Sequence, residues 1–380
     1  MCYVDLMKGE KIMSEYVMPN GQSFDNPVPP VNQSGEYEIK CKVKKSYNWA
    51  GGVMLIQLAI AFAVQFAVSM VYSTVKMAEF MLENPQPSVE EMTEFTMSIQ
   101  TPFYLLLVNT LCYLIANFAC FFIGKGVSKT LFPVKLFSKN KLGVPDSLLC
   151  VAAILGLQGL SMIVQFITMS ITKVSGINEA TASMMSFSDN IAHNVLMIVY
   201  FVIIAAVTEE LLCRGVMMKM LSPVSKTFAL VASAVLFGVM HGNFNQMFNG
   251  ALLGLVLGYA AMKSGSLKLP IICHMAANTN AMILAALEYK LGEGAGIIEV
   301  IYAAILIVVG IVSIIMLYKR NGLINEEEDG FPAADGDKLE VEPEQKKQLT
   351  WKLLLKSPTF WIFLVIYIFT AIIMLTPITV

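Results

Sequence analysis

The sequence predicts an all-α polytopic membrane protein: a bundle of about eight to nine transmembrane helices with an active site enclosed in the bundle. Composition is the first reason. Of 380 residues, 56% are hydrophobic and 14% charged, against about 25% charged in a typical soluble domain, and mean hydropathy is +0.65. Apolar runs are the second: nine stretches, near 50–72, 102–124, 147–171, 191–221, 227–241, 246–262, 268–287, 297–318 and 359–378, approach the roughly 20 helical residues that cross a hydrocarbon core. The third is where the rare polar groups fall. Glu209-Glu210-x-x-x-Arg214, Phe237-x-x-x-His241 and His274-x-x-x-Asn278 all interrupt apolar helices, and ionisable groups at that depth are costly enough to mark a buried site.

Taken in order, residues 1–48 form a polar N-terminal segment with Pro19, Pro27, Pro29 and Pro30 and no cleavable signal. Lys8-Gly9-Glu10 can be encoded by a purine-rich ribosome-binding stretch, so translation is expected to start at Met13. Residues 49–145 carry two helices. Lys40, Lys42, Lys44 and Lys45 precede the first, and Lys125, Lys129, Lys135, Lys139 and Lys141 follow the second, which puts both clusters in the cytoplasm by the positive-inside rule. The acidic loop 73–101 then faces outward. Continued alternation brings every later basic cluster to the same side, with the N-terminus cytoplasmic.

Residues 146–290 hold the motifs, 291–320 a further helix, 321–356 an acidic segment and 357–380 a last helix. Glu326-Glu327-Glu328-Asp329 with nearby Gly330 and Pro332 reads as a solvated cytoplasmic linker, and the last helix as an accessory that deletion of 322–380 would remove without loss. A net charge of −2 and dispersed basic residues give no footprint for nucleic acid. The seven cysteines are scattered in apolar surroundings without a C-x-x-C pair, as small hydrophobes are.

Within the motif region, Glu210 and Arg214 are spaced i, i+4 and share a face, while Glu209 points about 100° away. Counted from the basic ends of their helices, Glu209 lies about 18 Å deep, His241 about 21 Å and Asn278 about 15 Å. Three distant segments can therefore converge near mid-membrane. Gly250-x-x-x-Gly254-x-x-x-Gly258 smooths one side of helix 246–262 for a close neighbour. His193, near only Asp189, reads as an interface residue.

This ordered set resembles the CPBP intramembrane protease family, which includes type II CAAX prenyl endopeptidases and bacterial relatives linked to bacteriocin self-immunity. The resemblance spans roughly 145–290. It implies an enzyme of the bacterial cytoplasmic membrane that cleaves a peptide or membrane-protein substrate amid lipid. Glu209 and His241 would activate water, His274 and Asn278 would stabilise the oxyanion, and Glu210 with Arg214 would form a supporting pair. Glu209, His241 and His274 would also suit zinc, since two imidazoles and a carboxylate leave a position for water. A membrane protein that confers immunity by binding alone remains an alternative, whereas a transporter would be expected to show internal repeats.

Overall fold

The computed structural model describes residues 31–131, 135–172, 179–331 and 350–373. The expected start at Met13 lies outside them. The described residues are helical without strands, in the order α1 Val31–Glu83, α2 Val89–Ser98, α3 Pro102–Leu131, α4 Val144–Thr172, α5 Glu179–Met184, α6 Ile191–Leu221, α7 Lys226–Val239, α8 Phe244–Ser264, α9 Lys268–Leu291, α10 Ala295–Asn321, α11 Trp351–Leu354 and α12 Pro358–Ile373. Each of the nine apolar runs falls chiefly within one of these helices. Among the described residues six helices, α1, α3, α4, α6, α9 and α10, are long and apolar enough to cross a membrane, and Lys226–Val239 and Pro358–Ile372 are shorter apolar helices.

Helix α1 is far longer than the apolar run that revealed it. It has 53 residues because no proline stands between Pro30 and Pro85, and without one nothing clashes with the backbone or removes a hydrogen bond along the way. Val43 and Tyr47, inside the segment read as a polar tail, are buried in the core. The expected outer loop is helical as well. Ser88 and Glu91 close a reciprocal capping box, Glu91 N donating to Ser88 Oγ at 3.1 Å and Ser88 N to Glu91 Oε2 at 2.7 Å, which satisfies two otherwise orphaned amides at the start of α2.

Helix α6 carries the first motif and is not uniformly wound. Residues Val199–Ala205 and Cys213–Met218 are π-helical, flanking the α-helical Ala206–Leu212. Such segments are rare and concentrate at functional sites. The core forms where Leu211–Leu221 meets Tyr47 and Met54 of α1, Phe228–Phe237 of α7 and Leu253–Met262 of α8.

The acidic stretch after α10 differs from the sequence expectation. Residues 332–349 lie outside the described residues, but 322–331 pack against the bundle. Glu326 accepts hydrogen bonds from Lys226 N at 2.6 Å, Thr227 N at 3.0 Å and Ser225 Oγ at 2.9 Å, so it caps the first turn of α7, where exposed amides and the helix dipole favour an anion. Asp329 pairs with Lys263 at 2.7 Å, and Gly330 N donates to Met262 O at 2.8 Å. Nor is the last helix an appendage: Phe363 and Tyr367 of α12 belong to the core, and Thr359 Oγ1 donates to Asn48 O of α1 at 2.7 Å.

Candidate active site

Arg214 begins the site. It is fully buried on α6, and its Nη1 donates to Glu210 Oε1 at 2.7 Å while Nη2 donates to Gly254 O of α8 at 3.2 Å. A buried guanidinium must have such partners, because desolvating an unpaired charge is prohibitive. The expected ion pair is present. What spacing could not reveal is its third member, His274 of α9, whose Nδ1 lies 3.0 Å from the same Oε1 of Glu210. A carboxylate can only accept, so Nδ1 carries the proton and Nε2 is turned toward Glu209 Oε2, 3.9 Å away.

Helix α7 supplies the opposite wall. The Arg214 guanidinium sits 4.3 Å from the centroid of the Phe237 ring, and both His241 and His274 meet that ring edge to face, at 5.1 and 5.8 Å between centroids. One aromatic residue thus contacts a member of each motif. His241 Nδ1 is 2.8 Å from Phe237 O; a carbonyl accepts, so this imidazole also keeps its proton on Nδ1 and leaves Nε2 open. Helix α7 has to end here. Gly242 takes φ +64°, a left-handed conformation easy only for glycine, and Asn243 caps α8 by accepting from Gln246 N at 2.9 Å.

Close approach of α7 and α8 sets the position of His241. A Cβ on Gly238 would lie 2.2 Å from Met247 O, and one on Gly250 would lie 3.0 Å from Gly238 Cα and 3.1 Å from His241 Nδ1. The glycine stripe on α8 therefore faces the histidine helix, as its spacing suggested.

Asn278 lies one turn beyond His274 and donates from Nδ2 to Phe201 O, in the first π-helical stretch of α6, at 2.7 Å. Glu209, His241, His274 and Asn278 all line one cavity of about 620 Å³. His193 stands apart, buried, with Nε2 3.1 Å from Ser186 O. The zinc expectation requires Glu209, His241 and His274 to meet at one point. Among the described residues no three His, Cys, Asp or Glu side chains are gathered as a bound ion would gather them.

Sequence reading missed a second set of buried polar groups. Tyr367 OH donates to Gln57 Oε1 at 3.4 Å, Gln57 Nε2 to Asn117 Oδ1 at 3.1 Å, and Asn117 Nδ2 to Thr208 Oγ1 at 3.0 Å. This chain ties α12, α1 and α3 to the residue beside Glu209. On the other side, Gln158 Nε2 donates to Ala277 O at 2.9 Å and holds the turn between His274 and Asn278. Their signal was in the sequence: each is a polar side chain inside an apolar run, the same clue that exposed the three motifs.

Residues 191–280, which contain every motif position, match the family model of Rce1-like type II CAAX prenyl endopeptidases. This segment is an Rce1-like domain. It is narrower than the 145–290 over which the motif resemblance was drawn, leaving α1 to α5 and α10 to α12 outside. No curated protein and no solved structure matches the chain. The Rce1-like match thus covers α6, α7, α8 and the first half of α9, and the flanking helices reach Thr208, beside its glutamate, through the Tyr367–Gln57–Asn117 chain.

Proposed function

We propose that the chain is an intramembrane endopeptidase that hydrolyses a peptide bond of a membrane-associated substrate with water activated by Glu209. One observation carries the reading: within an Rce1-like domain, Glu209 and the two imidazoles whose Nδ1 atoms are already committed border the same cavity. Glu209 removes a proton from a water lodged beside it, and His241 Nε2 accepts the water's other hydrogen and so orients it. The water oxygen attacks the substrate carbonyl. The amide N–H of Asn278 not spent on Phe201 O, being a neutral donor aimed into a low-dielectric space, supports the oxyanion. Glu209 then delivers its proton to the departing amine as the C–N bond breaks, giving a carboxylic acid and an amine. His274, held by Glu210, fixes the wall behind Glu209.

The test is peptidomics of membranes from cells carrying wild type or Glu209→Gln. Fragments present only with the wild type, and regenerated by purified protein in lipid, support hydrolysis. Identical profiles together with unaltered substrate levels would instead favour a protein that acts by binding, the immunity-type alternative.

A further inference from the structure

Among the described residues three Lys and Arg side chains are buried, and two of them are fully accounted for. Arg214 has Glu210 and Gly254 O. Lys263 Nζ has Asp329 at 2.7 Å and the carbonyl oxygens of Asn321 and Leu323 at 2.8 and 2.7 Å. Lys219 is the exception. It stands in the last turn of α6 and is 5% exposed; its Nζ donates to Ser128 Oγ of α3 at 3.0 Å, and among the described residues no carboxylate pairs with it. The Ser128 hydroxyl hydrogen is itself spent on Lys125 O at 3.2 Å. Ser128 therefore offers a neutral acceptor only, and the ammonium of Lys219 has three donors to place.

The nearest charge deepens the imbalance. Lys125, exposed and three positions before Ser128 on the same face of α3, lies near enough to Lys219 for the two ammonium groups to repel. A desolvated charge without a counter-ion is costly, so two neighbouring cations without one make a place for an anion. What lies beside them is hydrocarbon-facing. Phe122, three positions before Lys125, is 62% exposed and stacks on Phe118 with centroids 6.5 Å apart. These rings, spaced i, i+4, form a stripe that leads from the lysines along the apolar span Pro102–Ser128. A phospholipid has the same layout, a phosphate at one end and an acyl chain running from it, whereas free phosphate would use the lysines and leave the stripe bare.

We propose that the lysine-bearing ends of α3 and α6 form a site for an anionic phospholipid, whose phosphate is held by Lys219 and Lys125 and whose acyl chain lies along Phe122. Basic pockets between membrane helices hold such head groups. Full-length protein in dodecyl maltoside, an uncharged detergent, is titrated with phosphatidylglycerol, phosphatidylcholine or inorganic phosphate, with retained lipid counted by native mass spectrometry and melting temperature followed in parallel. Phosphatidylglycerol should be retained at lower concentration than phosphatidylcholine. Lys125→Gln, at an exposed position that folding tolerates, should weaken that retention about fivefold, the worth of one basic residue beside an anionic head group, and Lys219→Met should weaken it at least as much. Lys319→Gln, equally exposed at the end of α10, should change nothing. The melting temperatures should also cross: Lys219→Met should exceed wild type in lipid-free detergent, because the uncompensated charge is gone, and fall below it once phosphatidylglycerol is added. Lys125→Gln decides retention even where Lys219→Met fails to purify. Equal retention of the two lipids, an equal loss in Lys319→Gln, undiminished retention in Lys125→Gln, or melting temperatures that do not cross would each overturn the proposal. Inorganic phosphate that stabilises the wild type as well as phosphatidylglycerol does would overturn the lipid as occupant.

Discussion

His274 Nδ1 and Arg214 Nη1 converge on a single oxygen, Oε1 of Glu210, at 3.0 and 2.7 Å. Glu210 is therefore both the counter-ion of a buried cation and the anchor of an active-site imidazole. Glu210→Gln should lower stability by roughly 3–5 kcal/mol, the cost of leaving a buried charge without its partner. Glu210→Gln with Arg214→Met should recover much of that and keep an amide oxygen for His274. Glu210→Leu with Arg214→Met should fold comparably but lose a further 10–100-fold in turnover, the usual penalty for freeing an orienting partner of a functional histidine. Melting temperatures beside kcat for the three variants decide it; equal kcat in the two double variants would remove Glu210 from any positioning role.

On the proposed reading Glu209 acts rather than holds. It makes no hydrogen bond to Arg214 and borders the cavity, so Glu209→Gln should reduce kcat by about 10²–10⁴-fold, as loss of a general base does, with little change in melting temperature. Stability as badly damaged as in Glu210→Gln would show that the two adjacent carboxylates share one structural duty.

Gly250→Ala offers a steric test of His241. The added methyl would meet both Gly238 Cα and the imidazole at about the limit of contact, so α7 and α8 must part or His241 must tilt. Overpacking of this kind costs roughly 1–3 kcal/mol, and kcat should fall by more than stability alone explains. Gly258→Ala, whose added methyl meets only side-chain atoms, Leu230 Cγ at 3.3 Å and Met218 Sδ at 3.6 Å, should cost less than Gly250→Ala in both measurements.

Glu326 lends the fold a pH dependence. Burial raises its carboxyl, but hydrogen bonds from the amides of Lys226 and Thr227 and from the Ser225 and Thr227 hydroxyls outweigh burial and hold it below the ordinary carboxylate range. A depressed folded value means stability is complete above the unfolded carboxylate range, about pH 4.3, and drains as pH falls through the folded value. Protection of the Lys226 and Thr227 amides, taken relative to the intrinsic exchange rate at each pH, should fall in that acidic window, and Glu326→Gln should show low protection already at neutral pH with no such step. A wild type as insensitive as the variant would rule out the cap.

Deletion of 322–380 should abolish folded yield rather than leave an active body. It removes the cap of α7, the Asp329–Lys263 pair and the core residues Phe363 and Tyr367 together. Size-exclusion profiles of the truncated and full chains in one detergent compare them directly, and a monodisperse, active truncation would contradict the packing.

Much of the site was legible because membrane helices make polar residues conspicuous. Glu210 with Arg214 followed from i, i+4 spacing, and the depths of Glu209, His241 and Asn278 foretold a shared cavity. Pairing of His274 with Glu210 was not legible, since the two lie 64 positions apart and spacing fixes only neighbours on one helix. Glu326 looked like part of a charge run because local composition is blind to which helix terminus a carboxylate will reach. Helix α1 was underestimated for a similar reason: hydropathy marks what can enter a membrane, while the backbone stays helical until a proline stops it.

The two π-helical stretches of α6 absorb residues that would otherwise turn Glu209 and Glu210 round the axis. An i→i+5 ring encloses one residue more than an i→i+4 ring, and one residue of α-helix corresponds to about 100° of rotation. Shortening Val199–Ala205 by a single apolar residue would leave length and hydropathy almost unchanged. It would also let that stretch rewind as ordinary α-helix and withdraw Phe201 O from Asn278, while the glutamate pair would keep nearly its present azimuth because the wide ring had absorbed the extra residue. Within Val199–Ala205, then, a homologous chain one residue shorter can present its carboxylates at the same phase from an unbroken α-helix, and what it loses is the carbonyl that holds Asn278.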